Sequence, residues 1–354
     1  MTRHFWVLIH RYAGLYMAFF LLVAGLTGSI MAFEIQIQNW LNPPVTVVSQ
    51  AVARQEALTL RDYAQALVPQ GRTDRVVFAG KPDEAYTVLM VIPSEASTGK
   101  PEEIFQLSLN PYTGKEMARE KVAMDDFWPV TRKNFIPLIV ALHYRLALPG
   151  SIGIWLFGIN FDLHRAGGLW VWLMLLVLAW SSVGFNLSEQ VYTPVMKSVF
   201  NMPDPYGDLP ALETPQPEPA LDWSEAHRIG RKLMSEQASI NGFSVLREEA
   251  LQYNAEKGVF FYIVHSDRDL IDEGGSIWLL LDGATGKFAG INIPTGQNAG
   301  TTLDNWIFAL HMAMIWGLPF KVFVCVVGVV IVMLTITGVY IWFKKLRARC
   351  FMSC

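Results

Sequence analysis

Four histidines at the ends of apolar segments form two matched pairs. His10-Arg11 and His164-Arg165 each open a long apolar run, whereas His143 closes Ala141-Leu142-His143 and His311 closes Ala309-Leu310-His311. Each of the latter pair is soon followed by a Gly/Pro break, Pro149-Gly150 in one case and Gly317 to Pro319 in the other. The two pairs recur at similar intervals, which reads as one unit duplicated and slightly diverged. Imidazoles at membrane depth are costly to place and are functional by default. Two parallel pairs of them look like axial ligands for two haems. A b-type haem iron is held by neutral imidazoles and tuned by its ligands, their hydrogen bonds and their burial.

The elements that must position these rings are membrane helices. Hydrophobic residues make up 52% of the chain and charged ones 17%, and a helix needs about 20 apolar residues to cross a hydrocarbon core of about 30 Å. Ala13 to Phe33, Leu169 to Leu187 and Phe320 to Phe343 meet that length, and Pro137 to Phe161 is a weaker fourth candidate. The first run exceeds a signal-peptide core and has no small-x-small cleavage site before Glu34, so it is expected to stay as an anchor. The fourth is short. Only Ser151 to Leu163 separate the Pro149-Gly150 break from His164, a rise of about 20 Å, so this span has to begin near Pro137 and pass kinked through Pro149.

Charge sets the orientation. Arg3 and Arg11 precede the first run, and Lys344, Lys345, Arg347 and Arg349 follow the last, so both termini are expected in the cytoplasm and the polar stretches outside it. For a bacterium this means the inner membrane and the periplasm. His10 and His164 then lie near the cytoplasmic side and His143 and His311 near the periplasmic side, so stacked pairs would carry electrons across the bilayer. Arg11, Arg145 and Arg165 stand beside the ligands and are candidates to pair haem propionates. The net charge of −3 gives no reason to expect nucleic acid. Cysteines occur only at 325, 350 and 354, and with no Cys-x-x-Cys-His motif any haem is non-covalent. No dinucleotide fingerprint or P-loop is present, so the electron donor must lie elsewhere, a quinol or a cytoplasmic reductase.

The polar stretches resemble each other. In the first, Leu58 to Leu67 suggests an amphipathic helix, followed by alternating runs at Arg75 to Phe78, Tyr86 to Ile92 and Ile104 to Leu109 and a turn at Asn110 to Lys115. The second repeats the order with a helix at Ser224 to Met234, strands at Gly258 to His265 and Ile277 to Leu281, and a turn at Asp282 to Lys287. Residues 203 to 219 carry six prolines and read as a semi-rigid spacer. His227 and His265 have no metal-ligand spacing around them and read as solvated surface residues.

Over nearly its whole length the chain resembles the PepSY-associated transmembrane proteins. The likeness rests on His10-Arg11 and His164-Arg165 opening spans, on Thr27-Gly28 and Thr337-Gly338, on Leu142-His143 and Leu310-His311, and on the two Thr-Gly turns. The run from His164 through Trp172 to Leu187 is similar to members linked to iron acquisition, the di-haem ferrisiderophore reductases of the bacterial inner membrane. That resemblance implies two b-type haems on His10/His164 and His143/His311, a ferric siderophore as substrate and membrane lipid as surroundings. It also implies a longer second span than this chain offers, as though a deletion had removed part of it.

The expected architecture is a four-helix transmembrane bundle carrying two small duplicated PepSY-like α+β domains in the periplasm. The expected boundaries are 1–40 for the N-terminus and first span, 41–130 for the first domain, 131–163 and 164–187 for two spans, 188–222 for the linker, 223–303 for the second domain, 304–343 for the last span and 344–354 for the tail. Two other functions fit the sequence: a haem-free siderophore uptake facilitator or transporter, and a membrane protein whose periplasmic domains bind peptides or a protease. No catalytic side chain is singled out.

Overall fold

A computed structural model of the protein describes residues 3–48, 52–78, 83–93, 103–122, 127–146 and 172–352. Its polar stretches gather into one unit, Pro43–Met124 with Asn201–Thr302, and its apolar runs into another, Met1–Asn42 with Asp125–Phe200 and Leu303–Cys354.

The apolar unit is built from α1 (Arg3–Met31), α2 (Glu34–Leu41), and, after the first polar stretch and its helix α3 (Ala57–Leu67), α4 (Phe135–Arg145), α5 (Trp172–Asn186) and α6 (Thr193–Val199). It closes with α8 (Ala299–His311) and α9 (Gly317–Met352), which follow the second polar stretch and its helix α7 (Trp223–Asn241). α1 breaks at Ala32-Phe33, and its continuation α2 leaves at 68°. α9 exposes Val322, Val326, Val329, Met333, Ile336 and Tyr340 at alternating four- and three-residue steps, one outward apolar face. A row of that length on a helix surface suits lipid rather than water.

The expected four-helix transmembrane bundle is not formed. Among the described residues one helix, Gly317–Tyr340, is long and apolar enough to cross a membrane, or two if Ala18–Met31 and Glu34–Leu41 count as one bent span. α4 ends at Leu146, which takes the left-handed conformation (φ 56°) and returns its N–H to Ala141 O. Eleven residues rise about 16 Å, half of the hydrocarbon thickness. α5, with 15 residues, rises about 22 Å before the chain turns at Leu187 into a single π-helical turn, Ser188–Tyr192. Hydropathy reads how apolar a run is, whereas the place where the backbone turns decides how far it reaches. The remainder of the expected second span, and the start of the third, lie outside the described residues.

The polar stretches do not make two separate small domains either. Their strands β1 (Arg72–Val77), β2 (Tyr86–Ile92), β3 (Glu103–Leu109) and β4 (Glu116–Lys121), then β5 (Val245–Asn254), β6 (Val259–Ser266), β7 (Ile277–Asp282) and β8 (Phe288–Asn292), join in one antiparallel sheet of order β4-β3-β2-β1-β5-β6-β7-β8. Each half is a meander, and the halves meet where Arg75, Val76 and Val77 pair with Gln252, Leu251 and Ala250. A half alone would leave β1 or β5 as a bare edge, and pairing the two removes both edges at once. The duplication therefore shows as symmetry within a single sheet.

α3 packs Leu60 and Ala64, and Val68 just after it, on Val88, Met90, Leu107 and Leu109. α7 packs Trp223, Ala226 and Met234 on Phe260, Tyr262, Leu279 and Leu281. Ala57 of α3 touches both clusters, so the core runs across the seam. Full burial of such side chains stabilises by about 1.5–3 kcal/mol each. The two Thr-Gly-Lys turns are built alike. Asn110 Oδ1 accepts from Tyr112 N (2.9 Å) and Thr113 N (3.2 Å), and Asp282 Oδ1 accepts from Ala284 N (3.1 Å) and Thr285 N (2.7 Å). The proline-rich segment is no free spacer: Leu212 N bonds Glu256 O and Gln216 N bonds Ala255 O in the β5–β6 turn, and just beyond it Leu221 N bonds Gly283 O in the β7–β8 turn.

Candidate functional site

His143 lies in the last turn of α4 and His311 is the last residue of α8. Both follow, two positions on, an alanine with no exposure, Ala141 and Ala309, so each helix can approach its neighbours closely ahead of its imidazole. α8 is held at its middle by Tyr192, whose hydroxyl donates to Asp304 Oδ1 at 2.7 Å. Asp304 stands two helical turns before His311, so this bond also orients the ring.

The two rings are brought together. Their centres are 6.4 Å apart and their planes are inclined at 74°. On the Nδ1 side each meets a hydroxyl: Thr27 Oγ1 of α1 at 2.9 Å from His143, and Ser181 Oγ of α5 against His311. Phe185 stands edge-on to His311 with ring centres 5.0 Å apart. At Gly28 a Cβ would come to 3.1 Å from His143 Cε1, so the absence of a side chain there leaves the imidazole its place.

This arrangement fits an iron held between two imidazoles. Metal–nitrogen bonds of about 2.0–2.1 Å on each side, with roughly 1 Å more from each nitrogen to its ring centre, give a span of about 6 Å. Among the described residues no three His, Cys, Asp or Glu side chains cluster as a metal site. Two ligands suffice where a tetrapyrrole supplies the other four, and they do not for a bare transition-metal ion in a closed protein site.

Of the other expected site residues, only Arg145 has a described side chain. His10 and Arg11 lie on α1, with side chains outside the described residues, and His164 and Arg165 lie outside them altogether. Arg145 is two positions beyond His143, on the opposite side of α4, where its guanidinium stands over Phe127 (5.9 Å) and Tyr144 (5.5 Å). Sequence reasoning passed over Thr27 and Ser181 as partners of the rings. A signal for them exists, since Ser181 follows Thr27 by the interval at which His164 follows His10.

No curated protein matches the chain. The profile of the family described as PepSY-associated TM region matches it over residues 7–160 and again over 158–345. With an outward apolar face on α9, an antiparallel sheet built from two like halves and a match covering nearly all of its length, this chain is a membrane protein and belongs to the PepSY-associated TM family.

Proposed function

We propose that the protein is an inner-membrane electron-transfer protein that reduces ferric siderophores at the periplasmic face and so releases ferrous iron. The observation that carries this reading is the juxtaposition of His143 and His311 at the span of a bis-imidazole iron site. When bound, a non-covalent b-type haem supplies one-electron exchange there, at a potential set by its ligands and their burial. His143 and His311 would hold it, with Phe185 packed edge-on against His311. His10 and His164 would hold a second, nearer the cytoplasm, and Arg11 and Arg165 would pair propionates, a role that the placement of Arg145 over Phe127 and Tyr144 does not favour for that residue. The basic flanks support cytoplasmic termini and a periplasmic sheet unit. A quinol or a cytoplasmic reductase would donate the electrons. Ferrous iron is a poorer siderophore guest than ferric, so one electron per iron is enough for release.

Detergent-purified protein is expected to show a low-spin b-type spectrum with close to two haems per chain, extractable by acid acetone. His311→Ala should remove one haem and leave the other. Reduced protein should be reoxidised by a ferric siderophore, with a ferrous trap filling as the oxidised spectrum returns. Colourless protein from haem-replete cells would sink the proposal and favour an uptake facilitator. Haem that no hydroxamate or catecholate complex reoxidises would leave an electron carrier with a different acceptor.

A further inference from the structure

We infer that the hydroxyls of Thr27 and Ser181 are positioning groups that fix the tautomer of His143 and His311, leaving Nε2 of each ring as the nitrogen with a free lone pair. The ligand role of that nitrogen rests on the haem reading above; the tautomer does not.

A hydroxyl has one proton to give and lone pairs to accept with. Thr27 Oγ1 lies 2.7 Å from Val23 O, one helical turn back, and a carbonyl can only accept, so the Thr27 proton is committed to it. Towards His143, Oγ1 can then only accept, and the ring nitrogen facing it at 2.9 Å, Nδ1, must carry the hydrogen. Ser181 repeats the arrangement, with Oγ 2.6 Å from Val177 O and 3.0 Å from Leu178 O and its lone pair turned to His311 Nδ1. A neutral imidazole protonated at Nδ1 keeps its lone pair at Nε2.

That both halves of the duplicated chain place a hydroxyl on the neighbouring helix, bonded backwards to its own backbone and forwards to the histidine, makes a chance contact a poor account. Hydrogen bonds on the remote nitrogen orient a ligating imidazole and raise its basicity, and their loss typically costs about 10–100-fold in metal affinity. Thr27 and Ser181 come from α1 and α5, so two further helices take part in presenting rings that belong to α4 and α8.

The test uses the full chain with Thr27→Val, Thr27→Ser, Ser181→Ala and Ser181→Thr. In haem-bearing protein, Thr27→Val and Ser181→Ala should each weaken retention of the same haem by about 10–100-fold and raise its midpoint potential, while Thr27→Ser and Ser181→Thr retain wild-type values. Unchanged retention and potential in both hydroxyl-free variants would overturn the inference, as would equal loss in the hydroxyl-retaining ones, which would point to packing. Wild-type protein that carries no haem removes the functional proposal and leaves this one testable. Nitrogen-15 NMR of its labelled histidines should then show, besides His265, whose Nδ1 faces the Gly274 carbonyl, two rings protonated at Nδ1, one losing that preference in Thr27→Val and the other in Ser181→Ala. Retention of the Nδ1 proton in both variants would overturn it.

Discussion

Glu248, on β5, is held by three side chains at once. Arg231 forks it, Nε to Oε1 at 2.7 Å and Nη2 to Oε2 at 2.9 Å, while His227 Nε2 reaches Oε2 at 3.2 Å and the Tyr262 hydroxyl donates to Oε1. His227 is thus not a solvated residue; its ring also stacks on Phe78, with centres 4.5 Å apart. Burial alone would push the Glu248 carboxyl up, but the hydrogen bonds from His227, Arg231 and Tyr262 outweigh it and hold it well below the ordinary carboxylate range. A folded-state value below the unfolded one stabilises fully above the ordinary glutamate value of 4.5 and is lost as pH falls through the depressed one. Glu248→Gln should therefore destabilise the sheet unit by about 1–2 kcal/mol at pH 7, a figure reduced for the exposure of Arg231. Denaturation monitored by tryptophan fluorescence should show the difference from wild type closing as pH drops from about 5 towards 2. A difference that holds constant to the acid end would mean that shape, not charge, matters at this position.

At the scale of elements, α1 and α9 cross where neither has a side chain to spare. A Cβ at Gly25 would meet Gly328 O at 2.9 Å and Val332 Cγ2 at 2.9 Å, and one at Gly328 would meet Gly25 O at 2.8 Å. Ser29 seals the crossing with a hydrogen bond to Cys325 O at 3.2 Å. Gly25→Ala and Gly328→Ala should each cost about 1–3 kcal/mol because backbone cannot move aside as a side chain can. Gly338→Ala, where nothing lies within 4 Å, should be neutral or slightly stabilising. Melting temperatures in detergent rank the three, and a Gly338 variant as damaged as the other two would refute the close-crossing account. Elements of this kind were legible in sequence to differing degrees. α3, β2, β3, β6, β7 and both Thr-Gly-Lys turns stand where period and turn chemistry put them. β5 was hidden because Arg247, Glu248 and Glu249 interrupt its alternation, and these charges are tolerated only through partners contributed by other elements or by the strand itself, such as Arg247 Nε on Glu249 Oε1 at 2.5 Å. β4, Glu116 to Lys121, carries the charges of an exposed edge and had no apolar face to announce it. The meeting of His143 and His311 was expected from the duplication, whereas the hydroxyls behind them belong to helices distant in sequence, where the only trace of their role is the interval from Thr27 to Ser181 that repeats the one from His10 to His164.

For the whole molecule, the pairing of β1 with β5 fixes topology more firmly than charge does. Residues on either side of one sheet share one compartment, so the stretch from Asp125 to Phe200 must cross the bilayer an even number of times or not at all. Single cysteines at Met117 and Lys232, both exposed, in a chain relieved of its three native cysteines, should react with a membrane-impermeant thiol reagent from the same side, the periplasmic one on the proposed orientation. Labelling from opposite sides is incompatible with the shared sheet. The same pairing imposes an order on biogenesis. A chain emerging from the ribosome delivers β1 long before Val245 to Asn254 exist, so the first four strands must wait, with Val76 and its neighbours offering an open edge, until the apolar segments between and the second polar stretch have been made. During that interval the half-sheet is a template for any other extended chain, and a holding factor on its side of the membrane, or a pause in synthesis, would govern the yield of this protein more than the stability of its finished core.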